Sequence, residues 1–192
     1  MNILTVIAVI GVVLFSWIII TYNRLIGLIE AIANNYRQID IQLDRRFKVF
    51  QNLIETVKKA MDYEQTTLKD VVALRNQAQA AKVSGDDKAR IASENGISKI
   101  ASGINLVFEQ YPELKANQNA LQLQEEIVNT ENKLTFSKQA YNDSVETFNA
   151  TKKSFFQAMV VSFFSSKLDK NFEYWQLEAD DAKAKEDYAV KF

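Results

Sequence analysis

The sequence predicts an all-α protein: an N-terminal transmembrane helix continuing into a long antiparallel three- to four-helix bundle of coiled-coil type. Three observations carry this. An uncharged apolar run opens the chain, apolar residues then recur at alternating spacings of three and four, and the 192 residues include only five Gly and one Pro. Sheets need frequent Gly- and Pro-rich punctuation, and so sparse a supply does not provide it.

Composition also excludes much chemistry. With no His and no Cys, disulfides, thiolate nucleophiles, imidazole bases and the usual zinc or copper ligands are ruled out. Neither G-x-x-x-x-G-K-[ST] nor G-x-G-x-x-G occurs, so no phosphate-cradling loop is expected. A formal net charge of −1 gives no basic footprint for nucleic acid. The expectation is a non-enzymatic protein without cofactor or metal. Asp40, Asp44, Glu55, Glu125, Glu126 and Glu131 raise a carboxylate metal site, but di-iron bundles require His and no Ca²⁺ or Mg²⁺ loop spacing is present. Alternation of these acids with Arg and Lys fits solvated helix faces instead.

Residues 1–22 are expected to form the membrane anchor. Its apolar surface comprises Ile3, Leu4, Val6, Ile7, Val9, Ile10, Val12, Val13, Leu14, Phe15, Trp17, Ile18, Ile19 and Ile20. From Ile3 to Ile20 a helix rises roughly 27 Å, close to the ~30 Å of bilayer hydrocarbon. Trp17 and Tyr22 fall where an aromatic belt sits, and a signal peptide's basic n-region and small-residue cleavage site are absent. Arg24 and Arg37 follow the span. The positive-inside rule then places the N-terminus outside and the helical domain in the cytoplasm.

Residues 23–167 are expected to form the bundle, with helices over about 23–82, 87–110 and 116–165, followed by a charged, partly helical tail over 168–192. In the first helix the seam runs Ile29, Ile32, Tyr36, Ile39, Leu43, Arg46, Phe50, Leu53, Val57, Ala60, Glu64, Thr67, Val71, Leu74, Ala78 and Ala81. "VSGDDK" supplies a turn, with Ser84 or Asp86 as the cap. Around Leu43–Ile54 the apolar surface widens: Phe47, Val49 and Ile54 join the seam, and Ile41 faces the opposite side. A helix apolar on several sides has several neighbours, so Ile41, Phe47 and Val49 are candidate subunit or lipid contacts.

The second helix carries Ile97, Ile100, Ile104 and Val107 on one face. Gly96 and Gly103 either permit close helix approach or simply weaken the helix by ~1 kcal/mol each. Pro112 then breaks the chain. In the third helix Ile127, Leu134, Tyr141, Phe148 and Phe155 recur every seven residues, alternating with the smaller Thr130, Ser137, Ser144 and Thr151. Large-against-small layers suit tight antiparallel packing. Next comes "SFFQAMVVSFFSSK", in which Phe155, Phe156, Met159, Val160, Phe163 and Phe164 make a stretch too short to span a bilayer and too apolar for a solvent loop. It packs in a neighbouring subunit, touches lipid or is ordinary core. With three antiparallel helices it falls toward the far tip of the first helix, which favours the subunit contact.

The blocks "YNRL", "IDIQLDRRFKVFQNLIETVKKAMDYE" and "YPELKANQNALQLQEEIVNTENKLTFSKQAYNDSVETFN" resemble, in order and spacing, the LemA family of bacterial membrane proteins. The resemblance implies an anchor followed by a long antiparallel bundle, with no enzymatic activity and a poorly defined role. Two departures stand out: "KVFQ" at 48–51 and "FF" at 155–156 occupy places where the family tends to have proline. Their loss predicts straighter helices.

Arg46 occupies a seam position. A buried guanidinium is costly unless it meets a carboxylate. Glu64 on the same helix is ~27 Å away, out of reach. Glu131, beside Asn132, is therefore the expected partner, and Arg46, Glu131 and Asn132 together would form a polar layer fixing helix register. The alternative is an arginine reaching a solvated edge. The functional expectation is a homo-oligomeric scaffold on the lipid bilayer. The alternatives are a tethered adaptor recruiting a protease or signalling protein, and a membrane-remodelling filament.

Overall fold

Six helices follow from these patterns in the computed structural model, which describes residues 2–60, 65–110 and 118–175, with the side chains at 54, 57–60, 65–69 and 101–110 left aside. They are α1 (Ile3–Ala60), α2 (Gln65–Ser84), α3 (Asp87–Gln110), α4 (Gln118–Lys153), α5 (Phe155–Phe163) and α6 (Ser165–Leu168). No strand occurs among the described residues. The break at Pro112, the α3 residues Gly103, Ile104 and Val107, and the tail beyond Trp175 lie outside what is described.

The chain divides into two compact units. Among the described residues, one comprises 38–137 with Trp175; the other comprises those of 1–37 with 138–174. In the first, α1 and α2 run antiparallel, since Lys82 Nζ donates to Asp40 Oδ2 at 2.9 Å and Arg75 pairs with Asp44. This corrects the single helix expected over 23–82: on one straight helix Asp44 and Arg75 would stand ~46 Å apart. A Schellman turn joins α2 to α3. Gly85 adopts φ +74°, its N–H donates to Lys82 O at 3.3 Å, and Asp86 N–H donates to Ala81 O at 2.9 Å. Asp86 also caps α3, accepting from Ala89 N–H at 3.0 Å. Ser84 instead donates to Ala81 O within α2.

Where α2 meets α3, a Cβ on Gly96 would lie 3.1 Å from Leu74 Cδ1, tighter than an ordinary contact, which fits the close-approach reading of that glycine. The core of this unit gathers Val49, Phe50, Leu53, Val71, Ile97, Ala120 and Ile127, with Phe47, Leu74, Ile100 and Leu123 packed on it. Phe47 and Val49, expected as subunit or lipid contacts, are thus part of the chain's own core. Ile41 stays outward, 55% exposed.

In the second unit α4 runs antiparallel to α1: Asn35 Nδ2 donates to Ser144 Oγ (2.6 Å) and Ala140 O (3.2 Å), and Tyr36 stacks on Tyr141 with centroids 5.5 Å apart. Leu25, Ile32, Tyr141, Val145, Phe148, Val160, Val161 and Leu168 are buried here. α4 ends at Lys153, and Ser154 turns to extended backbone (φ −63°, ψ 141°) before α5. The third helix expected over 116–165 is therefore interrupted, and the straightening anticipated from the missing proline does not occur at 155–156. Phe155 leaves the seven-residue series at this bend and is exposed. The strip after α6 folds back along α4: Lys152 Nζ donates to Asp169 Oδ1 (2.9 Å), Lys170 O (2.8 Å) and Asn171 Oδ1 (3.2 Å), and Tyr141 Oη donates to Glu173 O (2.9 Å).

The first stretch of α1 is apolar and long enough to cross a membrane, and none of its most apolar window is buried. α1 passes through Gly27 without a break.

The α2–α3 contact yields a first expectation. Gly96→Leu drives a side chain into Leu74 and should destabilise the fold by about 1–3 kcal/mol, the usual cost of overpacking. Thermal melts followed by circular dichroism would register it, and an unchanged midpoint would refute the close-packing account.

A buried charge layer as the candidate functional site

The charged residues of "IDIQLDRR" are built into the unit of residues 38–137. Arg46 is 1% exposed. Its Nη2 donates to the carboxylate of Glu94 and to Glu94 O at 3.2 Å, while Nη1 donates to Ser98 Oγ at 2.7 Å and Glu131 Oε1 at 3.3 Å. Ser98 in turn donates to Glu131 Oε2 at 3.2 Å. The other oxygen of Glu94 accepts from Arg75 Nη1 at 3.2 Å, and Arg75 Nη2 reaches Asp44. Arg75 also lies over the Phe47 ring, 5.4 Å from its centroid. Four helices thus supply one layer: α1 gives Arg46 and Asp44, α2 Arg75, α3 Glu94 and Ser98, α4 Glu131.

Two of these charges, Arg46 and Glu94, are fully buried together. Such a pair is held by directed hydrogen bonds, not by Coulomb attraction alone, because each ion has lost its water. A guanidinium fork that satisfies acceptors on α3 and α4 simultaneously has one good arrangement. Sliding any helix by a turn would strand the charge.

Nearer the start of this unit, Asp40 accepts from Lys82 and from Arg90, and Arg90 lies over the Trp175 ring at 5.6 Å. Burial pushes the Asp40 carboxyl upward, but hydrogen bonds and charge from Lys82 and Arg90 outweigh it and hold the group below its ordinary value. On the exposed side Arg45 pairs with Glu126 at 3.0 Å.

The structure brings Arg46 and Glu131 together as the sequence suggested, but the shorter and fully buried partner is Glu94. Asn132 is exposed and lines a shallow groove with Leu121, Gln124, Glu125, Val128 and Asn129, outside the charge layer. Glu94 was legible in principle: Arg90 and Glu94 precede Ile97 by seven and three residues, in line with the apolar face of α3. Arg75 has no comparable signal. Of the acids that raised a metal site, Asp40, Asp44, Glu126 and Glu131 each face a cation of another helix. Of the segment after α4, Val160 is buried, whereas Phe155, Phe156, Met159, Phe163 and Phe164 are exposed.

Comparison with known proteins agrees with this architecture. The family model described as "LemA family" matches residues 35–192, which includes both long signature blocks but not "YNRL". The chain is 26% identical over 147 residues to "Protein LemA" of Metamycoplasma hominis, a match covering 77% of this chain and 64% of that protein.

Two outcomes follow from the layer. Glu94→Ala should cost about 3–5 kcal/mol, because it leaves a buried guanidinium without its main partner. Glu131→Ala, at a quarter-exposed carboxylate, should cost less, and equal costs in denaturant melts would contradict the assignment of Glu94 as the principal partner. Asp40 behaves differently with pH. Its native value lies below its unfolded one, so its ion pairs contribute fully above about pH 4 and are lost as pH falls through the native value. Asp40→Asn should therefore lower the melting temperature at neutral pH, with the difference from wild type narrowing as pH falls below about 4.

Proposed function

The chain belongs to the LemA family, and on that footing we propose that it is a non-enzymatic, single-pass membrane protein that self-assembles as a helical scaffold at the bacterial inner membrane. One observation carries the reading: the helix that opens with an exposed membrane-length apolar stretch is the same unbroken helix whose Asp44 and Arg46 are bonded into the charge layer. Arg24 and Arg37 after the span favour a cytoplasmic helical domain. The charge layer serves as a register lock in this reading, since directed ion pairs resist the heptad slippage open to purely apolar seams.

Self-assembly rests on surface that its own chain leaves uncovered. Leu121, Val128 and Phe136 on α4 are 37%, 45% and 70% exposed, and Ile41 is exposed on α1. Repeated large apolar side chains on an outer helix face favour a protein contact. An adaptor role draws on the groove between Leu121 and Asn132, whose two apolar and four polar residues suit an amphipathic segment of another protein.

Light scattering on the full chain in mild detergent, with detergent mass subtracted, tests the first reading. A discrete multiple of the 21.9 kDa chain mass is expected, reduced by Phe136→Asp. A monomer at all concentrations would overturn self-assembly and leave the adaptor.

A further inference from the structure

The Phe-rich segment after α4 has two apolar faces that do different things. Val160 and Val161 are buried against the chain, while Phe155, Phe156, Met159 and Phe163 are 78%, 61%, 53% and 81% exposed. At ~100° per residue the four exposed side chains fall within about 100° of arc. They form one continuous stripe, separate from the packed face.

Where this stripe sits decides what it meets. The Phe156 ring packs edge-on to Trp17, centroids 6.0 Å apart, and Phe164 packs on Tyr22 at 5.1 Å. Trp17 and Tyr22 are the aromatic pair at the carboxyl end of the candidate span, the level at which such rings mark a bilayer surface. The stripe is therefore continuous with the uncovered apolar surface of the anchor. This reverses the sequence expectation, which placed the segment at the far tip. The reason is direction: α4 runs antiparallel to α1, so its C-terminal end points toward the start of α1.

We propose that α5 is a second membrane contact, a short helix lying in the interfacial zone of the leaflet beside the anchor, with acyl chains and headgroups covering Phe155, Phe156, Met159 and Phe163. From Ser154 to Ser166 there is no charge, and Lys153 and Lys167 stand exposed at the two ends, placed to meet lipid phosphates. The bends at either end satisfy part of their own backbone, which lowers the cost of a low-dielectric setting. Ser154 N–H donates to Thr151 O (3.1 Å), its hydroxyl to Ala150 O (3.0 Å), and Phe164 N–H to Val160 O (3.1 Å). The helix lacks a side-chain cap, so its first N–H groups suit the wet interface better than the bilayer centre. This contact rests on the reading of residues 3–20 as a membrane span.

The chain has no Cys, so single nitroxide labels can be placed at Met159→Cys, Phe163→Cys, Val12→Cys and Glu146→Cys in the full-length protein. The protein is reconstituted in vesicles of phosphatidylethanolamine and phosphatidylglycerol, and collisions with oxygen, which favours lipid, are compared with those of a water-borne nickel chelate. Labels at 159 and 163 are expected to show an oxygen-to-nickel collision ratio severalfold above that at 146. If 159 and 163 match 146 while 12 reads as lipid, α5 lies in water and the proposal fails with the anchor intact. If 159 and 163 are shielded from both probes, a second copy or its own chain covers the stripe, and the proposal also fails. If 12 itself reads as water, the span is wrong and the interfacial contact falls with it.

Discussion

A guanidinium and a carboxylate buried together, Arg46 against Glu94, set the terms for the helices around them. Both side chains are 1% exposed, and burying either charge without the other would be costly. Further hydrogen bonds to the pair come from Ser98, Glu131, Arg75 and the Glu94 carbonyl. Apolar seams reward many alignments almost equally, since one Leu packs in a given hole much as another does. A fork of directed bonds rewards one. The apolar core of Val49, Phe50, Leu53, Val71, Ile97, Ala120 and Ile127 supplies the drive to associate, and the charge layer selects which association.

Elsewhere the chain uses polar groups more lightly. In the unit formed by residues 1–37 and 138–174, Asn35 reaches Ser144 and Ala140, and Lys152 holds the strip after α6 through three acceptors. Lys152 also lies 5.6 Å from the centroid of the Phe148 ring. Buried Leu25, Ile32, Val145, Phe148 and Leu168 do most of the work there. Apolar surface that this unit does not cover is concentrated on the first twenty residues of α1 and on α5.

Much of this was legible in the sequence, for reasons visible in particular residues. The seam residues Ile32, Ile39, Leu43, Arg46, Phe50, Leu53, Val71, Ala78 and Ala81 are all buried, because a period near 3.5 leaves little choice of face. Ile127, Leu134, Tyr141 and Phe148 follow for the same reason. The reversal between α1 and α2 was missed because neither Gly nor Pro marks it. The polar seam positions Glu64 and Thr67 were its only trace. That omission inverted the direction assigned to every later helix and sent the Phe-rich segment to the wrong end. Phe47 and Val49 were misplaced for a related reason: a helix with two close neighbours from its own chain looks, in sequence, like one with neighbours from another. Glu94 was hidden because a charge in line with an apolar stripe reads as the stripe's end.

The separations along the chain give the charge layer an order of arrival. Arg75 and Glu94 are nineteen residues apart and meet across a two-residue turn, so α2 and α3 can pair as soon as both are made. Arg46 must close forty-eight residues to reach Glu94 and eighty-five to reach Glu131. Local contacts form quickly and distant ones wait on loop closure. The Arg75–Glu94 contact is the most local in the layer, and the carboxylate it orients is the one that Arg46 must reach from forty-eight residues away. The most demanding contact of the layer, that of Arg46, therefore closes onto a hairpin whose own contacts are local in sequence.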